Sequence, residues 1–507
     1  MQSGQAVDEG VYADSLRLTL GFACNQGFLF SLFYLGMNCT LGDEPYVFER
    51  VDLVGVLLFM VFAFIVLRAA SPRARDALFA VPSLWCYAVL IVLGSLVFEL
   101  TGGSIPAIIV ESVLVGICWG FLLAAWGRVL GSRPSRQSIR SVFVATALAA
   151  LVCLAIAAIP NEQARLVLEL LPLGSAFALQ GYAEALQRGM GDEAAAEGDE
   201  DAPRSGRLRI ADLIASREER DQALRLSRKI IAGTVVFGIA AGFMETFASE
   251  PGMQAMPAFP ATLILLVLFC IAALQLIDSG GFDEGEAQAD SPDYQTRLDS
   301  VYRLAILVMM AGFLFVPTLE SFGVTGESIV LAGYLGLSCV LVCLFLVMSR
   351  IRSQDAALSF AQGFSALYAG ELIGILLGNC IEFLQLSGSM SYTVAACAGL
   401  AALFAYLFLF TEQDFRELSV IVRQVDRFDD ACARIAQEYS LSKREAEILP
   451  LALKGRTGER IASELFISKS TVDTHLRRIY SKTGTHGRQE LIDLGERTVK
   501  ELSQPRR

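Results

Sequence analysis

Seven side chains near the C-terminal end, Ser470, Thr471, Asp473, Thr474, Arg477, Arg478 and Lys482, fall within 13 residues. On a helix, Val472, Leu476 and Ile479 share one face, and Ser470, Asp473, Thr474, Arg477 and Ser481 share the opposite one. The polar face combines short hydroxyls, one carboxylate and guanidinium groups. A guanidinium can engage both acceptors on a guanine edge, and a carboxylate can accept from cytosine N4. The spacing predicts that Asp473, Thr474 and Arg477 contact base edges, with Ser470 beside them. Thr471, Arg478 and Lys482 are placed for phosphates, which position a helix without reading sequence. His475 is expected to make a backbone or phosphate hydrogen bond rather than to bind metal.

A second set of polar groups lies inside long apolar runs: Asn25, Gln26, Glu111, Glu245, Glu371 and Asn379. A charge in hydrocarbon costs at least about 2.5 kcal/mol, so such groups face protein or a water-filled cavity. Glu111 and Glu371 are the deepest and are the candidates for a ligand or proton site. The alternative for each is a hydrogen bond to a neighbouring helix. Eleven cysteines are scattered without a CxxC pair, and both histidines, His475 and His486, sit near the C-terminal end. Neither a metal site nor a cofactor is expected. With no phosphate-binding Gly-rich loop and no nucleophile–base pair, the chain is not expected to be an enzyme.

The elements that carry these groups are legible in the composition. The 507 residues are 54% hydrophobic and 19% charged, the balance of a polytopic membrane protein. From Leu441 to Arg507 there are 14 Lys/Arg against 9 Asp/Glu, a net of +5; with −12 overall, the rest carries −17. A basic end on an acidic chain suggests a separate polyanionic partner for that end. Twelve stretches are long enough to cross a bilayer: 18–38, 52–70, 77–98, 105–127, 141–159, 164–185, 229–248, 259–278, 302–318, 328–349, 358–380 and 392–411. Arginines cluster after spans two (Arg68, Arg73, Arg75), four (Arg128, Arg133, Arg136, Arg140) and ten (Arg350, Arg352), and the intervening loops are poor in them. The positive-inside rule then places both termini in the cytoplasm. The start, Met1 to Ala13, lacks the basic region of a cleavable signal. Gln187 to Arg228 opens acidic, turns basic and reads as a solvated linker, disordered at least in its first half.

Past Thr411 the chain turns polar, and Glu412 to Ser440 reads as a helical connector, at most about 45 Å long as a single helix. Ser442 and Glu445 have capping-box spacing. Ile448, Leu449 and Ala452 follow on one face, and Gly455 stops the helix. Thr457 caps a second helix with Ile461, Ala462 and Leu465 inside. Ser468 caps a third, which Gly484 ends, and a fourth runs from Arg488 to about Leu502. Two helices joined by a short turn, the second basic, form the helix-turn-helix pattern. Pro450 falls inside the first helix and marks a candidate kink.

Leu441-Ser-Lys-Arg-Glu-Ala-Glu-Ile-Leu449, Gly455, Ile461-Ala462, Ile467-Ser468, Thr471-Val472, His475-Leu476, Ile479-Tyr480, Lys482, Arg488 and Glu490-Leu491 resemble the LuxR-type helix-turn-helix family in order and spacing. The resemblance covers about a tenth of the chain. It implies that the third helix enters the major groove of double-stranded DNA and that the fourth dimerises. Asp473 stands where members of the family often carry Lys, and Gly458-Glu459-Arg460 where they carry Asn-Lys-Glu. That implies weaker electrostatics and an altered base preference.

The layout of six spans, linker and six spans resembles the major facilitator superfamily, whose two halves enclose a central cavity. The loop Leu67-Arg-Ala-Ala-Ser-Pro-Arg-Ala-Arg-Asp76 lacks that family's Gly- and Asp-containing signature, which weighs against active transport. The expected fold is thus all-α: a polytopic twelve-helix membrane bundle, 6+6 and major-facilitator-like, with a C-terminal four-helix LuxR-type domain. The expected divisions are 1–186 and 229–411 for the two halves, 187–228 for the linker, 412–440 for the connector and 441–507 for the DNA-binding domain. The expected protein is a regulator in the inner membrane of a bacterial cell. Its expected partners are DNA, the lipid bilayer and a small-molecule ligand, and it is a homodimer on DNA. The alternative is a secondary transporter with a regulatory C-terminal domain.

Overall fold

The computed structural model describes residues 16–31, 39–40, 47–48, 50–100, 105–133, 135–157, 159, 167–168, 170–184, 217–246, 259–278, 294–319, 326–351, 354–383, 399–400, 403–404, 428, 430–453, 455–465 and 468–503. Helix α1 covers 16–31. It is followed by α2 (Val51–Ala69), α3 (Pro72–Leu78), α4 (Val81–Leu100), α5 (Ile105–Gly131) and α6 (Ser135–Ala157). Helix α7 covers 170–184. The second half consists of α8 (Arg217–Glu245), α9 (Phe259–Asp278), α10 (Tyr294–Leu319), α11 (Gly326–Ile351) and α12 (Ala356–Phe383).

Among the described residues seven helices are long and apolar enough to cross a membrane, or eight if α3 and α4, bent by 56°, form one span. Most of the twelfth expected span, 392–411, lies outside the described residues, as do the first part of the linker and most of the connector. The linker's last residues are not linker-like, because α8 already starts at Arg217. One feature departs from the all-α expectation. Cys39–Thr40 and Val47–Phe48 pair as antiparallel strands β1 and β2. Two residues per strand are too short for alternation to register, although Thr, Val and Phe all favour extended backbone.

Burial sorts the spans. The Ser328–Arg350 window of α11 is 89% buried within the protein, whereas α2 and α9 are 39% buried and leave one side for lipid. The closest crossing joins α8 to α12. Gly238 and Gly242 of α8 face Gly370, Gly374 and Gly378 of α12, and a Cβ at any of them would overlap a neighbouring atom, at all but Gly378 a backbone carbonyl oxygen. Without a hydrophobic drive between helices in lipid, such backbone approach supplies the packing.

An ion pair and a hydrogen bond tie the end of α5 to the turn between α11 and α12. Arg128 on α5 binds Asp355 Oδ2 at 2.5 Å and Asp76 of α3 at 3.0 Å, and its guanidinium lies over the Phe79 ring. Asp355 also accepts from the Ala357 N–H at the start of α12. Arg350 on α11 donates to the Arg133 carbonyl.

The C-terminal domain has its own core. Helix α13 covers 430–438. Helices α14 (Lys443–Leu453), α15 (Gly458–Leu465), α16 (Lys469–Thr483) and α17 (Arg488–Ser503) follow. Cys432 and Ile435 of α13 join Ile448, Leu449, Val472, Ile479 and Leu491 in one cluster, so the end of the connector packs with the domain. Helix α14 runs through Pro450 without interruption.

Candidate nucleic-acid interface and buried polar cluster

Helix α16 is fixed at both ends by local chemistry. Ser468 is its N-cap and accepts from the Thr471 N–H at 3.1 Å. Gly484, at φ 67°, donates to the Tyr480 carbonyl, and the Thr485 N–H reaches the same oxygen. That six-to-one bond closes a Schellman-type end, which requires a left-handed residue. The same closure recurs at Gly455 (φ 75°) after α14 and, with a non-glycine, at Ser440 (φ 50°) after α13.

Val472 and Ile479 are fully buried and Leu476 is nearly so. Ser470, Thr471, Asp473, Thr474, Arg477, Arg478 and Lys482 are all exposed. The helix therefore turns the expected faces inward and outward. Arg477 and Arg478 make no hydrogen bond or ion pair among the described residues. The hydroxyls of Ser470 and Thr471 each lie 2.7 Å from that of Ser468, and Thr474 donates back to the Ser470 carbonyl. Lys482 differs from the others. Its ammonium donates to Glu445 Oε2 at 2.7 Å and to the Ser440 carbonyl at 3.0 Å, so it is already committed to holding the domain together. Among the described residues His475 has no backbone partner, and its Nδ1 is buried without one.

The Glu445 carboxylate also takes the Ser442 N–H at 2.7 Å while the Ser442 hydroxyl accepts from the Glu445 N–H, which completes the capping box. Burial pushes this carboxyl up, but Lys482 and Ser442 outweigh it and hold it below the usual carboxylate range. On the surface, Lys469 pairs with Glu459 at 2.7 Å, which holds that carboxyl down and the ammonium up.

The bundle contains a different kind of cluster. Glu371 on α12 is fully buried and accepts from the Tyr334 hydroxyl of α11 at 2.9 Å. Glu245, at the end of α8, is also buried and close enough to act on it electrostatically. Arg50 lies 3.8 Å from Glu245 Oε2, with both side chains buried. Arg50 also sits at φ 56°, a strained backbone for a residue with a Cβ. Asp52 adds a further carboxyl facing Glu245. Glu111 is half-buried and is not among the groups that face Glu371. Asn379 donates to the Ile375 carbonyl of its own helix. Asn25 and Gln26 are buried; among the described residues neither amide atom of Asn25 nor the oxygen of Gln26 has a partner. Gln26, Tyr334, Ser338 and Tyr368 line a cavity between α1, α5, α11 and α12. Residue type alone did not single out Arg50, Tyr334 or Tyr368, because an arginine at a span start and tyrosines within spans are ordinary.

Residues 439–494 match the family described as bacterial regulatory proteins, luxR family. The oxygen regulatory protein NreC of Staphylococcus aureus is 47% identical over 53 residues, which are 10% of this chain and 24% of that protein. The chain thus matches about a quarter of that relative's length. Over 81% of its length the chain superimposes on 97% of an auto-inhibited POT family peptide transporter, with 11% identity and a TM-score of 0.44. With the human organic anion transporter MFSD10 the figures are 79% and 98%, 13% and 0.44.

Proposed function

We propose that the chain is a membrane-embedded transcription regulator whose bundle receives a signal and whose C-terminal helix-turn-helix binds double-stranded DNA. One observation carries this reading. Helix α16 is anchored by its apolar face and leaves Arg477 and Arg478 exposed without partners among the described residues, on a segment of net charge +5 that matches the luxR family. In this reading Arg477 takes a guanine edge, with Asp473 and Thr474 beside it on the groove face. Ser470 lies beside them, and Thr471 and Arg478 hold phosphates. Lys482 contributes through Glu445 rather than by touching DNA.

The reading places both termini in the cytoplasm of a bacterial cell, with the bundle in its inner membrane, on the strength of the loop arginines. The domain works as a homodimer through α17, as the resemblance implies. The divisions 1–186, 187–228, 229–411, 412–440 and 441–507 serve as membrane half, linker, membrane half, connector and reader. The signal is received at Glu371, and no catalysis is assigned to any residue. Residues 412–440 transmit it, by repositioning two reader domains or by being cut.

The test is selection of DNA sites from a random pool with fragment 425–507, repeated with Arg477→Ala. Enrichment of a defined site, lost or relaxed at one guanine in the variant, is expected, with binding that weakens steeply with salt. No enrichment defeats the regulator reading; equal enrichment by the variant defeats the assignment of Arg477.

A further inference from the structure

Two thiols meet where the halves of the bundle touch. Cys270 on α9 and Cys339 on α11 are both buried and free, and a hydrogen bond links them. Cys339 spends its only S–H on Thr146 Oγ1 of α6, at 3.3 Å, so Cys270 is the donor and the Cys339 sulfur its acceptor. The chain of bonds thus runs from α9 through α11 into the first half. One turn away the two helices interlock: a Cβ at Gly336 would lie 2.6 Å from the Phe269 ring. Cys339 follows Gly336 by three residues on the same face and Cys270 follows Phe269 directly, so α9 and α11 face each other at this level. Cys343, one turn further along α11, is buried as well, but the hydrogen bond of Cys270 is to Cys339.

The route to this pair is through lipid. Leu268 and Ile271 of α9 are 57% and 45% exposed on the outer side, with Cys270 turned inward. The pair therefore lies about 10 Å, one helix width, from the hydrocarbon. Charged oxidants are kept out of that layer, whereas a neutral, lipid-soluble one enters it. Isolated buried thiols are inert, but here the second thiol already touches the first, so closure of the bond is intramolecular.

We propose that Cys270 and Cys339 are a redox modification site, oxidised to a disulfide by a lipid-soluble quinone. The S–S bond forms as two S–H bonds break, and both electrons and both protons pass to the quinone, which leaves as the hydroquinone. Oxidised Cys339 has no S–H, so its bond to Thr146 is lost while α9 and α11 become covalently joined. The redox state is thereby felt between the two halves. The inference goes beyond the role given to Glu371. Its chemistry is read without DNA, so failure of the DNA-site test leaves it standing, and its own failure leaves the reader domain untouched.

The test uses the full chain in lipid nanodiscs under argon, with duroquinone, whose ring methyls block thiol addition. The reaction is stopped with acid, remaining thiols are alkylated in denaturant, and intact mass and peptide mapping locate the bond. Loss of two of the eleven thiols is expected, with Cys270–Cys339 the predominant cross-link and dithiothreitol restoring both. The charged oxidant ferricyanide should leave the pair reduced. Cys343→Ala should react as the wild type does, and Cys339→Ala should show no two-thiol loss. No loss of thiols, a bond mapped to another pair, equal yield with ferricyanide, or an unchanged two-thiol loss in Cys339→Ala would overturn the proposal. Should Cys339→Ala fail to fold, the wild-type map and the ferricyanide comparison decide it.

Discussion

Two buried carboxylates, Glu445 in the C-terminal domain and Glu371 in the bundle, show how the same group serves two ends. Glu445 is 2% exposed and is answered within the domain: the Lys482 ammonium neutralises it and the Ser442 N–H donates to the same oxygen, Oε2. Glu371 is buried as deeply, yet its hydrogen bond comes from a tyrosine and the charged groups that act on it are Glu245 and Arg50. A charge whose partners are built in acts as a strut. A carboxyl whose hydrogen bond comes from a tyrosine on another span is not fixed by a built-in counter-charge in that way. The difference lies in the partners and not in the depth.

The largest expected effect comes from the frame that holds Glu371. Gly242→Val would drive a side chain into the Glu371 carbonyl at the α8–α12 crossing. Overpacking usually costs about 1–3 kcal/mol, and a clash with backbone lies at or beyond the upper end. The full chain should lose monodispersity in size-exclusion chromatography, while fragment 425–507 is unaffected by definition; a monodisperse variant of unchanged melting temperature would break the glycine account.

Glu445→Gln should come next. Removing the charge that holds Lys482 is expected to destabilise the C-terminal fragment by about 1–2 kcal/mol, moderated because Lys482 is partly solvated. A urea midpoint that does not move would show that the strut is ornamental. The pH dependence sharpens the same point. The folded carboxyl titrates below the ordinary value of 4.5, so its stabilisation is present above that value and is lost as pH falls through the lower folded one. The wild-type fragment should therefore lose stability in acid more steeply than Glu445→Gln, as followed by circular dichroism.

The smallest effect on stability belongs to Glu371. Glu371→Gln keeps the shape of the side chain and an acceptor for Tyr334, so the melting temperature of the full chain should stay level. A fall as large as that caused by Glu445→Gln in its own domain would erase the contrast between the two sites.

The reader domain was legible because its signals are local. The capping box at Ser442 and Glu445, the N-cap Ser468 and the stop at Gly484 all lie within a few residues of what they satisfy. Face assignments on α16 follow from a 3.6-residue period alone. Most bundle helices fall near the apolar runs that announce them. The cluster around Glu371 was only half legible. Glu371 and Glu245 stand out as acids in apolar runs, but their pairing with Arg50 joins positions 195 and more residues apart and needs the fold. Nothing in the spacing shows that Glu445 reaches Lys482 from another helix. The strand pair at Cys39–Thr40 and Val47–Phe48 escaped because it is too short to have a period.

The most direct test of the central claim is recovery of DNA with the intact chain in its membrane. Cells are crosslinked, the membrane fraction is isolated, and DNA bound to the full-length chain is sequenced for wild type and Arg477→Ala. The expected result is a small set of sites sharing one motif, absent in the variant. DNA recovered at random positions, or the same sites with equal strength in Arg477→Ala, would contradict it.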